Sequence, residues 1–191
     1  MKKTLLDLTK DDWNTLFPIA LEEHNPLWKQ RFQEEKELLL SKIGSSRLLR
    51  IEHFGSSSIP TIKSKPYIDI IIDIPEALLF DEHLIAEFAM LGYTHFVVPE
   101  REGIAAYSSF GKGYHLDGKK SQIFHIHMCP IHNAMWQQLK FRDYLIANPT
   151  RAKAYEALKI NLAFQFKNDR GAYVLGKTNF IKETLALLPK V

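Results

Sequence analysis

The chain has 191 residues, is 46% hydrophobic and 12% aromatic, carries a formal net charge of +3 and contains one cysteine. This is ample apolar material for a core within a single domain spanning 1–191. The mild charge argues against nucleic acid as a partner, and Cys129 alone excludes an internal disulfide and a Cys-x-x-Cys metal frame. No stretch approaches the ~20 consecutive apolar residues of a membrane span, and the opening MKKTLLDLTKDDW turns polar too soon for a signal peptide, so a cytoplasmic protein with no membrane partner is expected.

Charge is unevenly spread. Residues 140–191 hold ten Lys/Arg against four Asp/Glu, and residues 1–139 hold fifteen against eighteen. A basic end of this kind either leans over a polyanionic ligand or shows solvated helix faces.

In chain order, Thr9 and Asp12 form a capping-box pattern ahead of a short helix. Trp28, Phe32 and Leu38 to Leu40 repeat at helical spacing and predict a helix from Pro26 to about Ile43, ended by Gly44 and the serines after it. LLRIEHF (48–54) and YIDIIIDI (67–74) read as strands, the second apolar on both faces and therefore central in a covered sheet. Residues 80–91 read as a helix, 93–98 and 104–110 as strands, and 112–120 as a polar connection into the strand QIFHIHM (122–128). The remainder reads as helical: 136–147, then a helix capped by Asn148 with Pro149 at its first position and a stripe of Tyr155, Leu158, Leu162 and Phe166, then a last helix over about 179–188.

The chemistry concentrates in FGSSSIPTIKSKPYIDI (54–70). Gly55 follows a strand, where a glycine can take backbone angles closed to other residues, and Ser56, Ser57 and Ser58 offer hydroxyls and amides to an anion. Lys63 and Lys65 lie within reach of that anion, and Asp69 opens the next strand. A two-metal transferase site needs carboxylates at alternate positions of one strand. Here the alternate position is Ile71, and Asp73 lies about 13 Å from Asp69 along an extended strand. His125 and His127 alternate with Phe124 and Ile126, so both imidazoles leave one face; if their strand neighbours Asp69, the three make a metal site suited to manganese, iron or zinc more than to magnesium. Glu52 and His53 are further ligand candidates. The competing readings are histidines that hydrogen-bond across the sheet, a turn without ligand, and an Asp69 neutralised by Lys65.

Two patterns are rejected. GAYVLGKT (171–178) matches Gly-x4-Gly-Lys-Thr, but a phosphate loop needs a strand before it and a sheet after it, and here an amphipathic helix precedes and thirteen residues follow. A structural loop is expected there, with Lys177 able to reach a ligand from a helix start. In HIHMCPIH (125–132), Pro130 swings His132 away from the strand, which disfavours structural zinc through Cys129 and His132.

Several blocks in order resemble one family, the GrpB-like proteins, a divergent branch of the nucleotidyltransferase superfamily. HNPLWKQRFQEEK (24–36), IEHFGSSSIPTIKSKPYIDI (51–70), HIHM (125–128) and FRDYLIANPTRAKAYEALKINLA (141–163) carry the resemblance over about 17–188, leaving 1–16 as an extension. It implies an α+β fold, a nucleotidyltransferase-like mixed sheet flanked by helices with a helical C-terminal segment. It also implies a cleft holding Glu52, His53, Gly55, Ser56, Lys65, Asp69, His125, His127, Arg142, Asp143, Tyr155 and Lys159. Thr61 stands where the family signature has glycine. On this reading Asp69, Lys65 and Arg142 are catalytic; Gly55, Ser56, Ser57, Lys65, Lys159 and Lys177 bind a nucleotide or other phosphorylated small molecule; and Asp69, His125, His127 and Glu52 hold a divalent ion, Mg, Mn or Zn. The expected activity is nucleotidyl transfer to an unknown acceptor, and the alternative is an inactive ligand- or partner-binding module that keeps the fold.

Overall fold

The computed structural model describes residues 3–101 and 103–189. Strands β1 (Arg50–Phe54), β2 (Tyr67–Asp73), β3 (Thr94–Val98), β4 (Tyr107–Lys112) and β5 (Ile123–Met128) form one sheet in the order β1-β2-β5-β4-β3. β2 and β5 run parallel, and the other neighbours are antiparallel, so the sheet is mixed and the fold is α+β.

β2 and β5 sit at the centre, and alternation along them separates two jobs. Ile68, Ile70 and Ile72 are 0% exposed and face helices α2 (Leu27–Lys42) and α3 (Glu82–Met90), with Phe124, Ile126, Met128, Trp28, Leu39, Leu84 and Phe88 in the same core. Each such side chain contributes about 1.5–3 kcal/mol by leaving water, so this layer fixes the register. Asp69, Ile71, His125 and His127 point the other way, because Asp69 pairs with His125 and Ile71 with His127.

The second face is covered by α4 (Gln137–Ala147), α5 (Pro149–Gln165), α6 (Arg170–Leu175) and α7 (Thr178–Ala186), and at one end by α1 (Lys10–Leu16). Ile71 packs there with Phe54, Tyr107, Cys129, Met135, Trp136 and Leu139. The loop between β1 and β2 is fastened through Ile59 and Ile62, each 1% exposed, which pack against Phe141, Leu145, Ala152 and Tyr155 of α4 and α5.

The helix expected over 26–43 and the Thr9–Asp12 capping box both form. β4 is displaced from the expected 104–110 because Arg101 and Ile104 close a tight turn through mutual backbone hydrogen bonds, and the strand starts only at Tyr107. Asn148 precedes α5 with Pro149 at its start, but its Nδ2 donates back to the Tyr144 carbonyl at 2.8 Å instead of capping the new helix. The expected loop at 171–178 is instead mostly helix α6, capped by the Asp169 side chain accepting from the Ala172 amide. Gly176 follows it because a Cβ there would lie 2.5 Å from Leu162 Cδ2. That glycine serves helix packing, not phosphate.

Candidate functional site

The site grows from the register of β2, β5 and β4. Asp69, His125 and His127 each offer a ligand atom, and these atoms all lie within 4.8 Å of one another. The imidazole rings are 4.5 Å apart between centroids, and His125 Nδ1 is 3.6 Å from Asp69 Oδ1. Among the described residues this is the one cluster of three such side chains with metal-site spacing.

Neighbouring hydroxyls set the histidine orientations. Ser109 Oγ donates to the Ile126 carbonyl at 3.0 Å, so its single proton is spent and it accepts from His125 Nε2–H, also at 3.0 Å. Neutral His125 therefore presents an unprotonated Nδ1 to the Asp69 carboxylate. A lone pair facing an anion is repulsive unless a proton or a cation lies between them. His127 Nδ1 meets the Tyr107 hydroxyl at 3.1 Å, and the Phe54 ring stands edge-on to the imidazole.

Burial works to raise the Asp69 pKa, but His125 beside it, then His127 and Lys65, favour the carboxylate and outweigh burial, and the carboxyl ends below its ordinary value. Burial, then the charge of His125, pushes His127 down to about 3, so that imidazole is neutral near pH 7 and free to ligate.

Gly55 is pressed against the carboxylate. Its φ of +71° is closed to most side chains, and a Cβ built there would lie 2.5 Å from Asp69 Oδ2. Ser56 lies beside the Tyr155 hydroxyl, and Ser58 Oγ donates to the Gly55 carbonyl at 2.6 Å. Ser57 turns into the opposite core, 1% exposed, with its hydroxyl 3.0 Å from His53 Nε2. Its side chain is not brought to the cleft.

On the far side of Asp69 lies a row of cations and tyrosines. Lys65 Nζ sits 4.6 Å from the centre of the Tyr67 ring and 5.9 Å from that of Tyr173, and Lys177 Nζ sits 4.7 Å from the same Tyr173 ring. Burial, then the positive charges of Arg170 and Lys177, pushes Lys65 down to about 7. Burial pushes Lys177 down to about 8 against the pull of Asp69. Among the described residues neither ammonium has a carboxylate at ion-pair distance, so Asp69 is not locked to Lys65.

The other expected site residues are placed elsewhere. Lys159 is 1% exposed and donates to the Lys63 carbonyl, which fastens α5 to the loop; burial, then the charge of Lys177, pushes it down to about 7. Arg142 donates to the His53 carbonyl at 2.6 Å and to Asp143 at 2.7 Å and reaches Glu52 at 3.5 Å, while Glu52 also takes Arg50 at 3.0 Å. These ion pairs hold Glu52 outside the Asp69–His125–His127 cluster. His53 faces the opposite layer, stacked on Phe32. His132 is exposed and Cys129 fully buried, with burial pushing the thiol up to about 12, in keeping with the rejection of zinc there.

Three contributors escape motif reading: Ser109, which orients His125, and Tyr114 and Arg170 at the rim. Gly111 was the available signal. It sits inside β4, and a Cβ there would lie 2.8 Å from Tyr114 Cε2, so the missing side chain marks where that ring folds over the sheet beside His125.

Fold and site together define an α+β protein on a five-stranded mixed sheet, with an Asp-His-His cluster on the helix-covered face of its two central strands. The chain belongs to the GrpB family, whose model, described as GrpB protein, matches residues 18–187. Glutamate-rich protein GrpB of Alkalihalophilus pseudofirmus is 33% identical over 168 residues, covering 87% of this chain and 94% of that protein. UPF0157 protein YqkA of Bacillus subtilis is 39% identical over 164 residues, covering 83% of this chain and 44% of that longer protein. The crystal structure of conserved protein GrpB from Enterococcus faecalis superposes with a TM-score of 0.71 at 29% identity, over 87% of this chain and 95% of that one. No helix among the described residues is long and apolar enough to cross a membrane.

Proposed function

We propose that the cleft binds one divalent metal ion through Asp69, His125 and His127, and beside it a nucleotide or related phosphorylated ligand, in a nucleotidyltransferase-like arrangement that passes a nucleotidyl group to an acceptor hydroxyl. The observation that carries this reading is the convergence of the three ligand atoms within 4.8 Å. Two imidazole nitrogens and one carboxylate favour manganese or zinc over magnesium. The ion, when bound, supplies positive charge to a phosphoryl oxygen. The chain's own residues do the rest: Gly55 lets the loop approach the carboxylate, Ser109 fixes the His125 lone pair, and Lys65 and Lys177 offset the charge of the phosphates.

Asp69→Asn tests the reading. Titration with Mn2+, followed by the loss of free-ion EPR signal, is expected to show at least tenfold weaker binding than wild type, with the melting temperature within a few degrees. Equal Mn2+ affinity in the two proteins, or none in either, refutes it.

One observation favours a second reading, a ligand-binding module without catalysis. Ile71, at the second carboxylate position, is 0% exposed and packed in core, so a second ion has no ligand there. Incubation with nucleoside triphosphates and Mn2+ separates the two: binding without release of pyrophosphate supports the module, and release supports transfer.

A further inference from the structure

Residues before the family match reach the ligand side of the molecule. α1 is tied to α6 by Lys10–Asp169 at 2.9 Å and by Asn14 Oδ1, which accepts from the Arg170 amide at 3.4 Å. The Arg170 guanidinium donates through Nη1 to the Phe17 carbonyl and lies 6.0 Å from the Trp13 ring centre. Trp13 and Phe17 in turn pack edge-on to Tyr114, at 5.4 and 4.9 Å between centroids, and Tyr114 packs on Tyr67 at 6.0 Å.

So held, Arg170 sits 5.9 Å from the centre of the Tyr67 ring, whose other cation is Lys65. Lys177, Tyr173, Lys65, Tyr67 and Arg170 thus form a continuous row in which two tyrosines separate three cations. No carboxylate among the described residues comes within ion-pair distance of Arg170 either. After burial, the positive charges of Arg170 and Lys177 oppose the charge on Lys65. An anion long enough to touch more than one of them relieves that repulsion, and a guanidinium held at Phe17 and beside the Tyr114 hydroxyl keeps further N–H groups to offer.

We propose that the N-terminal segment, residues 4–17, is part of the ligand site: by holding Arg170 through Trp13, Asn14 and the Phe17 carbonyl, it builds the outer end of a cation row that selects an extended anion with linked phosphates over a single phosphate. This rests on the phosphate reading above. Arg170 is the binding group, and Trp13 and Asn14 are positioning residues that act through it. Residues 4–17 precede the stretch that the family model matches, whereas Arg170 lies within it.

Calorimetry with inorganic pyrophosphate and with orthophosphate, both in Mn2+, tests the proposal. Arg170→Ala is expected to weaken pyrophosphate at least tenfold while changing orthophosphate less than twofold and Mn2+ affinity not at all. Trp13→Ala and Asn14→Ala are expected to weaken pyrophosphate three- to tenfold in the same selective way, with Trp13→Phe restoring it. If Trp13→Ala fails to fold, Arg170→Lys serves instead, since a lysine keeps the charge but not the fork, and it is expected to lose most of the selectivity. Wild type that binds Mn2+ but not pyrophosphate, or Trp13 and Asn14 variants that bind pyrophosphate as wild type does, overturns this inference alone. Wild type that binds neither Mn2+ nor phosphate sinks the metal and phosphate reading beneath it.

Discussion

Gly55→Ala is the substitution that asks most of the geometry. Two costs fall on the same methyl. The first is backbone strain: Gly55 has φ 71° and ψ −175°, a region essentially reserved for glycine, which costs a side chain of order 1–3 kcal/mol. The second is steric, since the new Cβ lies 2.5 Å from Asp69 Oδ2, 3.0 Å from its Cβ and 3.1 Å from its Cγ, and overpacking of this kind costs about 1–3 kcal/mol. The carboxylate cannot yield freely because His125 Nδ1 stands 3.6 Å away. A total of about 4 kcal/mol lowers the melting temperature of a chain this size by about 8–16 °C. If the loop or Asp69 moves to relieve the contact, less stability is lost but Mn2+ affinity falls instead. Gly92→Ala is the control, because Gly92 has φ +86° with nothing within 4 Å and suffers the backbone term alone, about 1–2 kcal/mol. Urea denaturation and Mn2+ titration on both variants read the two outcomes. A Gly55→Ala protein with wild-type stability and wild-type Mn2+ affinity would falsify the claim that the loop is seated on the carboxylate.

His53 is 9% exposed and burial pushes its pKa down to about 4, so the unfolded chain takes up a proton there before the folded one does. Stability is therefore expected to fall as pH drops from about 6.5 to 4, by up to about 3 kcal/mol from this residue, and denaturation of His53→Gln at pH 7 and pH 4.5 should show a shallower loss than wild type. Glu35 is buried and accepts from Lys112 at 2.7 Å and Tyr93 at 2.9 Å. Lys112→Met strands that carboxylate and is expected to cost about 3–5 kcal/mol in urea denaturation, against less than about 1 kcal/mol for Lys153→Ala, whose ammonium is exposed; equal costs refute the account.

What the sequence made legible was what repeats or alternates. The isoleucines of β2 announced a central strand, and His125 and His127, two apart, announced a shared face. Neither pattern states which strand lies beside β2. That follows from the parallel pairing of β2 with β5 across the 49 residues between them, which places Asp69 opposite His125 and is decided by packing of the whole layer. Helix α6 was hidden for a different reason: RGAYVL is short and contains a glycine, and it is held by its Asp169 cap and by Tyr173, 2% exposed, not by any periodic stripe of its own. Lys159 was placed at the ligand by the family resemblance and Ser57 by its place in the glycine-serine turn. The fold instead turns both inward, because a carbonyl and an imidazole satisfy them there.

Ile71 then limits what the site can do. A second carboxylate on β2 would have to enter a cluster with Phe54, Tyr107, Cys129 and Trp136, where an unpaired charge costs several kcal/mol. Its β5 partner is His127, itself wedged between Phe54 and Tyr107. The residues that close the second metal position are thus the same ones that keep His127 dry and neutral, and dryness is what makes it a ligand near pH 7. Ile71→Asp should accordingly fail to add a second Mn2+ and should weaken the first, by letting water and a second anion reach His127. EPR stoichiometry decides it, and two bound ions per chain would show that the apolar wall is incidental to the site.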